Sequence, residues 1–291
     1  MLYFSELGGY GRLGNQLFQY ASLKGIAAKR GLSPTIPDLS NKSWHGQRCL
    51  LDEFRLECNR VSPEAALNFN TVVEPNPAGF FYPQMEMVSD NTNLFGFFQN
   101  TKYFEHIKSQ ICKELTPKEE HIDKAFDYIS SISGGKQVVS LHIRRGDITD
   151  GTNGEIGLFG EDPLDTRYRW GSYFKKCSTR ISQIFGHGNY KYLIFVGGSR
   201  TGDDSEDIRW AKKNFGDGDL YHVSDSNDPI ADFTRIMLCH HNILSPASSF
   251  GWWAAYLNPN PNKIVLCPQD YHLDNSTQLR DGFYPKEWIQ L

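Results

Sequence analysis

The sequence predicts an α/β protein whose C-terminal half is a doubly wound parallel sheet. Two observations carry this. From Gln137 to Cys267, runs of strand and helix character alternate. At the N-terminus a short apolar run, Leu2–Leu7, leads through Gly8-Gly9-Tyr10-Gly11-Arg12-Leu13-Gly14 into a helical pattern. Strand, glycine turn and helix in that order point backbone N–H groups at an anion.

In chain order, Asn15–Arg30 reads as the first helix, with Leu17, Tyr20, Ala21, Ala27 and Ala28 at near-helical spacing and Gly31 as its stop. Residues 32 to 105 carry six prolines and the aromatic cluster Phe95-Gly96-Phe97-Phe98, and read as a loop-rich part of a first domain. Thr116-Pro117-Lys118-Glu119 has the form of a capping box. Ile122, Ala125, Phe126, Ile129 and Ile132 then share a helix face that ends at Gly134-Gly135, where a domain boundary is expected, giving 1–134 and 135–291. Strands follow at Gln137–Ile143, Tyr190–Val196, Leu220–Val223, Asn242–Ser245 and Lys263–Cys267. Between them, Trp170–Phe185, Asp204–Phe215, a segment opened by Asp228-Pro229 and Phe250–Leu257 read as helices, the first with Ile184 on its inward face. In such sheets ligands sit at the carboxyl ends of the strands.

Composition narrows the function. With 19 Phe, 14 Tyr and 6 Trp in 291 residues, the chain has enough aromatic surface to bury, which excludes disorder. Thirty basic against 34 acidic residues, with basic runs no longer than pairs, disfavour nucleic acid. No run approaches the ~18 apolar residues of a membrane span. The first eleven residues lack the pattern of a signal peptide. Six scattered cysteines with no C-x-x-C pair read as thiols of a reducing compartment. A cytoplasmic location is the expectation.

Leu141-His142-Ile143-Arg144-Arg145-Gly146-Asp147 lies where a strand runs out. Guanidinium forks there match phosphate oxygens, which favours a phosphate site over the alternative of a plain surface ion pair such as Arg145 with Asp147. Asn15 and Gln16 begin the first helix and would cap it or offer amides to a ligand. Ser248 and Ser249 sit between a strand and a helix, suited either to a phosphate or to an ordinary N-cap. Trp252 and Trp253 read as core. The adjacent His240-His241 would face apart on a helix, and Asp217-Gly218-Asp219 reads as a turn, so no metal site is expected. Neither a dinucleotide fingerprint nor a G-x-S-x-G elbow is present.

In order, Gly11-Arg12-Leu13-Gly14-Asn15-Gln16-Leu17-Phe18-Gln19-Tyr20-Ala21, His142-Ile143-Arg144-Arg145-Gly146-Asp147, Asp204 to Phe215 and Met237 to Val265 resemble the four motifs of the α-1,2-fucosyltransferases, glycosyltransferase family 11. The resemblance implies two Rossmann-like domains of GT-B type, an acceptor-side one followed by one for GDP-fucose. It implies inverting, metal-independent transfer of fucose to the 2-hydroxyl of a terminal β-galactose on a glycan. Arg144 would clamp the β-phosphate and Asn15 would contact the diphosphate or the reacting centre. His142 would help hold the nucleoside and Asp232 would accept from guanine. Ser248 and Ser249 would contact the phosphates, with Gly14, Arg145 and Phe250 also lining the donor. Asp147 is preferred as general base over Glu6. The long loop Ile148–Arg167 is expected to act as an acceptor-side lid, and Ile148 stands where the family often has Tyr.

Overall fold

A computed structural model describes residues 1–76, 79–149, 162–167, 169–216, 218–269 and 281–291. The chain divides into two compact units, Met1–Lys118 with Leu279–Glu287, and Glu119–Gln278 with Trp288–Leu291.

The first unit holds strand β1 (Leu2–Tyr3), helix α1 (Leu13–Arg30), β2 (Pro34–Ile36), a hairpin of β3 (Ser43–Trp44) and β4 (Gln47–Arg48), then β5 (Asn59–Arg60), β6 (Asn70–Val73), β7 (Thr92–Phe95) and α2 (Lys108–Glu114). Its main sheet has the order β5-β2-β1-β7-β6, every pair parallel. The predicted first strand is shorter than its apolar run, because Ser5–Gly9 already turn. Helix α1 is buried almost all round from Leu13 to Ala27, leaving Ala28 in its exposed last turn. Gly31 ends it in the left-handed region (φ 62°), its N–H returning to Ala27 and Ala28.

The second unit holds α3 (Glu119–Ser133), β8 (Gln137–Arg144), α4 (Gly146–Thr149), α5 (Arg169–Phe185), β9 (Tyr190–Gly197), α6 (Ser205–Phe215), β10 (Tyr221–Val223), α7 (Pro229–Leu238), β11 (His241–Ile243), α8 (Ser249–Leu257), β12 (Val265–Cys267) and β13 (Ile289–Gln290). The six strands run β10-β9-β8-β11-β12-β13, all parallel. Strands β8 and β9 are buried along almost their whole length, as a sheet covered on both faces requires. On one face Val139, Leu141 and Ile143 pack with Trp170, Phe174 and Ile181 of α5 and Ile208 of α6. Helices α3, α7 and α8 pack on one another in the order α3, α7, α8.

Three expectations change. Helix α3 belongs to the second unit, so the division falls at Lys118 rather than at Gly134-Gly135. The reason is its packing on α7, where Arg235 lies over the Tyr128 ring at 3.8 Å. Helix α3 starts only at Glu119: Pro117 bridges Phe54, and the Thr116 hydroxyl donates back to the Cys112 carbonyl (2.7 Å) instead of capping α3. Phe126 points to solvent with 64% of its surface exposed, since Ala125 and Ile129 carry the buried stripe, and Ile184 is likewise exposed. Trp252 and Trp253 are core, as expected.

Candidate active site

In the second unit the chain leaves β8 to build β9 and β10 on one side, then returns to build β11 on the other. The crevice between the ends of β8 and β11 is therefore a topological switch point, the place where open α/β sheets bind ligands. Arg144, the last residue of β8, spans it. Its backbone N–H donates to Ser245 Oγ (2.9 Å) and its Nη1 to the Ala247 carbonyl, both beyond β11. Its Nε and Nη2 donate to the two oxygens of Asp147 at 3.0 and 2.6 Å. This fork-on-fork pair fixes the guanidinium plane. Ala247 adopts φ 52°, a conformation unusual for a residue with a Cβ, so the backbone is bent to present that carbonyl.

Helix α8 starts immediately after. Ser248 stands at its N-cap without making a capping bond, and among the described residues its hydroxyl has no hydrogen-bond partner. The first-turn N–H groups of α8 need partners outside the helix. Ser249 and Phe250 are half-buried there. Cation, helix N-terminus and serine hydroxyl thus converge on one place suited to a phosphate.

Two glycines hold this geometry. A Cβ at Gly146 would overlap the backbone at Gly198 and Ser199. Gly198 (φ 108°) leaves room for Arg144 and Asp147. The backbone N–H groups of Arg145 and Asp147 donate to the Gly197 and Gly198 carbonyls at 2.8 and 3.2 Å. The loop after β8 is thereby tied to the loop after β9.

Arg145 does not join Arg144. It turns toward α6, pairs with Asp207 and lies over the Trp210 ring at 4.7 Å. Burial raises the Asp207 carboxyl even against that arginine. His142, on the same strand, is buried beside Phe250, with ring centroids 5.7 Å apart. Burial, helped by Arg144, pushes its imidazole down to about 3, so it is neutral at physiological pH. Among the described residues its Nδ1 has no hydrogen-bond partner, and a Cβ at Gly251 would lie 2.6 Å from that atom.

Asp232 lies in the first turn of α7. The Ser224 hydroxyl donates to its Oδ1 (2.7 Å), and Arg235 Nη1 donates to Ser224 Oγ (3.1 Å) while pairing with Asp232 at 3.5 Å. Burial pushes this carboxyl up to about 7, with the Ser224 bond and Arg235 acting in the other direction. Among the described residues, the hydrogen bonds to this carboxyl both use Oδ1.

Gly14 and Asn15 belong to the first unit. Gly14 is buried as the second residue of α1, and Asn15 Oδ1 accepts from Gln99 Nε2 (2.7 Å). Gln16 does not face outward. Its amide donates to the Gly11 and Gly8 carbonyls at 2.7 and 3.3 Å, bracing the glycine turn. His240 and His241 are not on a helix. Each uses Nδ1 to accept a backbone N–H, from Val138 and from Ile264, both at 3.0 Å. Asp219 pairs with Lys136 at 2.8 Å. Asp217 and most of the expected lid, from 150 to 161, lie outside the described residues.

The family model for Glycosyl transferase family 11 matches residues 188–291. The likeness also extends over nearly the whole chain. The Escherichia coli O-antigen biosynthesis glycosyltransferase WbnK is 25% identical over 97% of this chain and 98% of its own length. The Bos taurus galactoside α-(1,2)-fucosyltransferase 1 is 26% identical over 96% of this chain and 73% of its own. The chain resembles the family 11 glycosyltransferases. Its fold is that of two solved fucosyltransferases of GT-B type. NodZ from Bradyrhizobium superposes with a TM-score of 0.51 at 13% identity, covering 89% of this chain and 93% of that one. POFUT1 in complex with GDP-fucose gives 0.51 at 12% identity, covering 90% and 95%.

The motif residues His142, Arg144, Asp147, Ser248, Ser249 and Phe250 come together in one crevice. The supporting residues escaped sequence reading. Ser245 and the Ala247 carbonyl carry no chemical signature, and Ser224 reaches Asp232 only through the fold. Arg235 alone left a signal, standing three residues after Asp232 on one helix face. Among the described residues no helix is long and apolar enough to cross a membrane.

Proposed function

We propose that this glycosyltransferase moves fucose from GDP-fucose to the 2-hydroxyl of a terminal β-galactose, with inversion and without a metal. The observation that carries the reading is Arg144, fixed by Asp147 and the Ala247 carbonyl beside the N-terminus of α8. As the sugar leaves in an oxocarbenium-like form, negative charge grows on the diphosphate. A preorganised cation and helix N–H groups at that place stabilise it. Ser248 and Ser249 supply further donors, and neutral His142 with Phe250 packs the nucleoside side. The name of the bovine relative supports the galactoside acceptor. Asp147 has both oxygens on Arg144, which suits a positioning residue better than a general base.

Arg145 braces the loop after β8, held by Asp207 and Trp210, and is not a second phosphate clamp. Asn15, oriented by Gln99, contacts the diphosphate or the reacting centre.

Incubation with GDP-fucose and lactose in EDTA tests the whole reading. Release of GDP together with a fucosyl-α-1,2-galactose product is expected. A different linkage would move the acceptor assignment, and dependence on added divalent ion would remove the metal-independent step.

A pH dependence follows from Asp232. Guanine offers N1–H and an amino group, which an ionised carboxylate accepts. The carboxyl sits near 7 in the fold against an ordinary 3.8, so it is protonated at acid pH. GDP affinity should therefore fall as pH drops through about 7. The group's own effect on folding runs the other way. Between 3.8 and 7 the folded state holds the extra proton, so stability from this group is full below 3.8 and declines toward 7. Asp232→Asn should weaken GDP binding roughly 10- to 100-fold at pH 8, the scale of hydrogen bonds to a charged group, and flatten the profile. Calorimetric titration of GDP at several pH values checks both.

A further inference from the structure

The first unit carries a feature that the donor chemistry does not use. Its sheet also has a switch point, between β1 and β7, since β2 and β5 lie on one side of β1 and β7 and β6 on the other. Half-buried aromatic side chains from three separate segments meet there. Tyr10, in the glycine turn after β1, stacks on Phe97 with centroids 4.6 Å apart and planes 7° apart. It also stacks on Phe95, at 5.1 Å and 26°. Trp44 meets Tyr10 edge-on at 5.3 Å. The hairpin β3–β4 turns through His45 and Gly46 at φ 49° and 78°, the left-handed pair that a tight hairpin needs, and so holds Trp44 in place.

These rings are positioned, not loosely exposed. Gln19 Nε2 donates to the Tyr10 and Gly96 carbonyls at 3.1 and 3.0 Å, joining the two loops. Buried Glu74 accepts the N–H groups of Phe97 and Phe98 at 2.8 and 2.9 Å. A Cβ at Gly11 would lie 3.1 Å from the Phe97 ring and 2.8 Å from Asn15 Cβ, so cluster and motif turn are in contact. Among the described residues, the Tyr10 hydroxyl and the Trp44 indole N–H make no hydrogen bond to the protein, and each is open to a ligand. Glu6 and Lys42 border the turn, with Lys42 Cδ 3.5 Å and a Glu6 oxygen 3.9 Å from where a Gly9 Cβ would stand.

We infer that the Tyr10–Phe97–Trp44 cluster is the platform on which the acceptor galactose stacks. This rests on the proposed galactoside acceptor. In β-galactose the axial hydroxyl leaves several ring hydrogens together on one apolar face, which an aromatic surface covers. The hydroxyls at the edge then find Tyr10, Trp44, Glu6 and Lys42. An apolar floor with a few fixed polar groups is the usual construction of a small-ligand site. A nucleotide would instead call for a cation at its phosphates, which the crevice beside Arg144 already supplies.

The test compares Tyr10→Ala, Trp44→Ala and Tyr10→Phe in the full chain, with lactose and methyl β-galactoside as acceptors. Each alanine variant should raise the acceptor KM about ten-fold, the scale of one aromatic contact, while GDP binding stays at the wild-type value. Tyr10→Phe keeps the ring and should recover most of the loss. Saturation-transfer NMR should show methyl β-galactoside resting on wild-type aromatic protons. If the wild type fucosylates lactose yet both alanine variants keep the acceptor KM within two-fold, the platform is wrong and the transferase reading stands. If the wild type neither transfers to nor binds any galactoside, the acceptor reading falls and the platform with it. Trp44 lies on a surface hairpin, so its variant keeps the test decisive should Tyr10→Ala fail to fold.

Discussion

Arg144→Ala lowers fucose transfer about 10²- to 10³-fold, the cost of deleting one preorganised electrostatic donor at a reacting centre. The expectation follows from the proposed donor site. All three nitrogens of the Arg144 guanidinium donate, to Asp147 and to the Ala247 carbonyl, and so hold its plane. Arg144→Lys keeps a charge but loses the fork that Asp147 grips, so it recovers little. Asp147→Asn leaves the arginine in place but weakens its clasp, and activity falls roughly 10- to 100-fold, as when partners behind a ligand are removed. Initial rates of GDP release, with calorimetric GDP binding alongside, separate the three. Near-normal turnover in Arg144→Ala would remove the cation from the mechanism.

Gly25→Ala destabilises the first unit by at least the ~1–3 kcal/mol typical of overpacking. Gly25 sits in the middle of buried α1, where alanine is normally the better helix former. Here a Cβ would overlap the Tyr103 carbonyl oxygen and lie 2.7 Å from Phe104 Cα. Both neighbours are backbone, so no side chain can rotate away. Gly218→Ala is the control. It has open space around it and no left-handed φ, so the melting temperature should hold or rise slightly. Thermal unfolding followed by circular dichroism checks the pair. A Gly25→Ala variant as stable as the wild type would mean that α1 shifts freely on the Tyr103 turn.

Much of the second unit was legible because its strands are long and buried on both faces. Gln137–Ile143 and Tyr190–Val196 are rich in apolar residues, and the structure extends each by a single residue, to Arg144 and Gly197. The first unit was not legible past its first helix. Its strands are two to four residues long and give no period to read. Phe126 failed for a different reason: a helix pattern marks a face but does not say how wide the covering neighbour is.

The sequence by itself determined the α/β class, the glycine turn, the motif residues and the family resemblance, because these depend on residue type and local spacing. Only the tertiary structure decided what each motif residue does with its side chain. Two consecutive arginines look equivalent in a sequence. In the fold Arg144 crosses to β11 and Arg145 turns to α6, because the strand ends between them and the two side chains leave in different directions. The same holds for Asp232, whose raised carboxyl comes from burial among Ser224, Arg235 and their neighbours. Burial and long-range partners are set by packing, and packing is not written in any one segment of the chain.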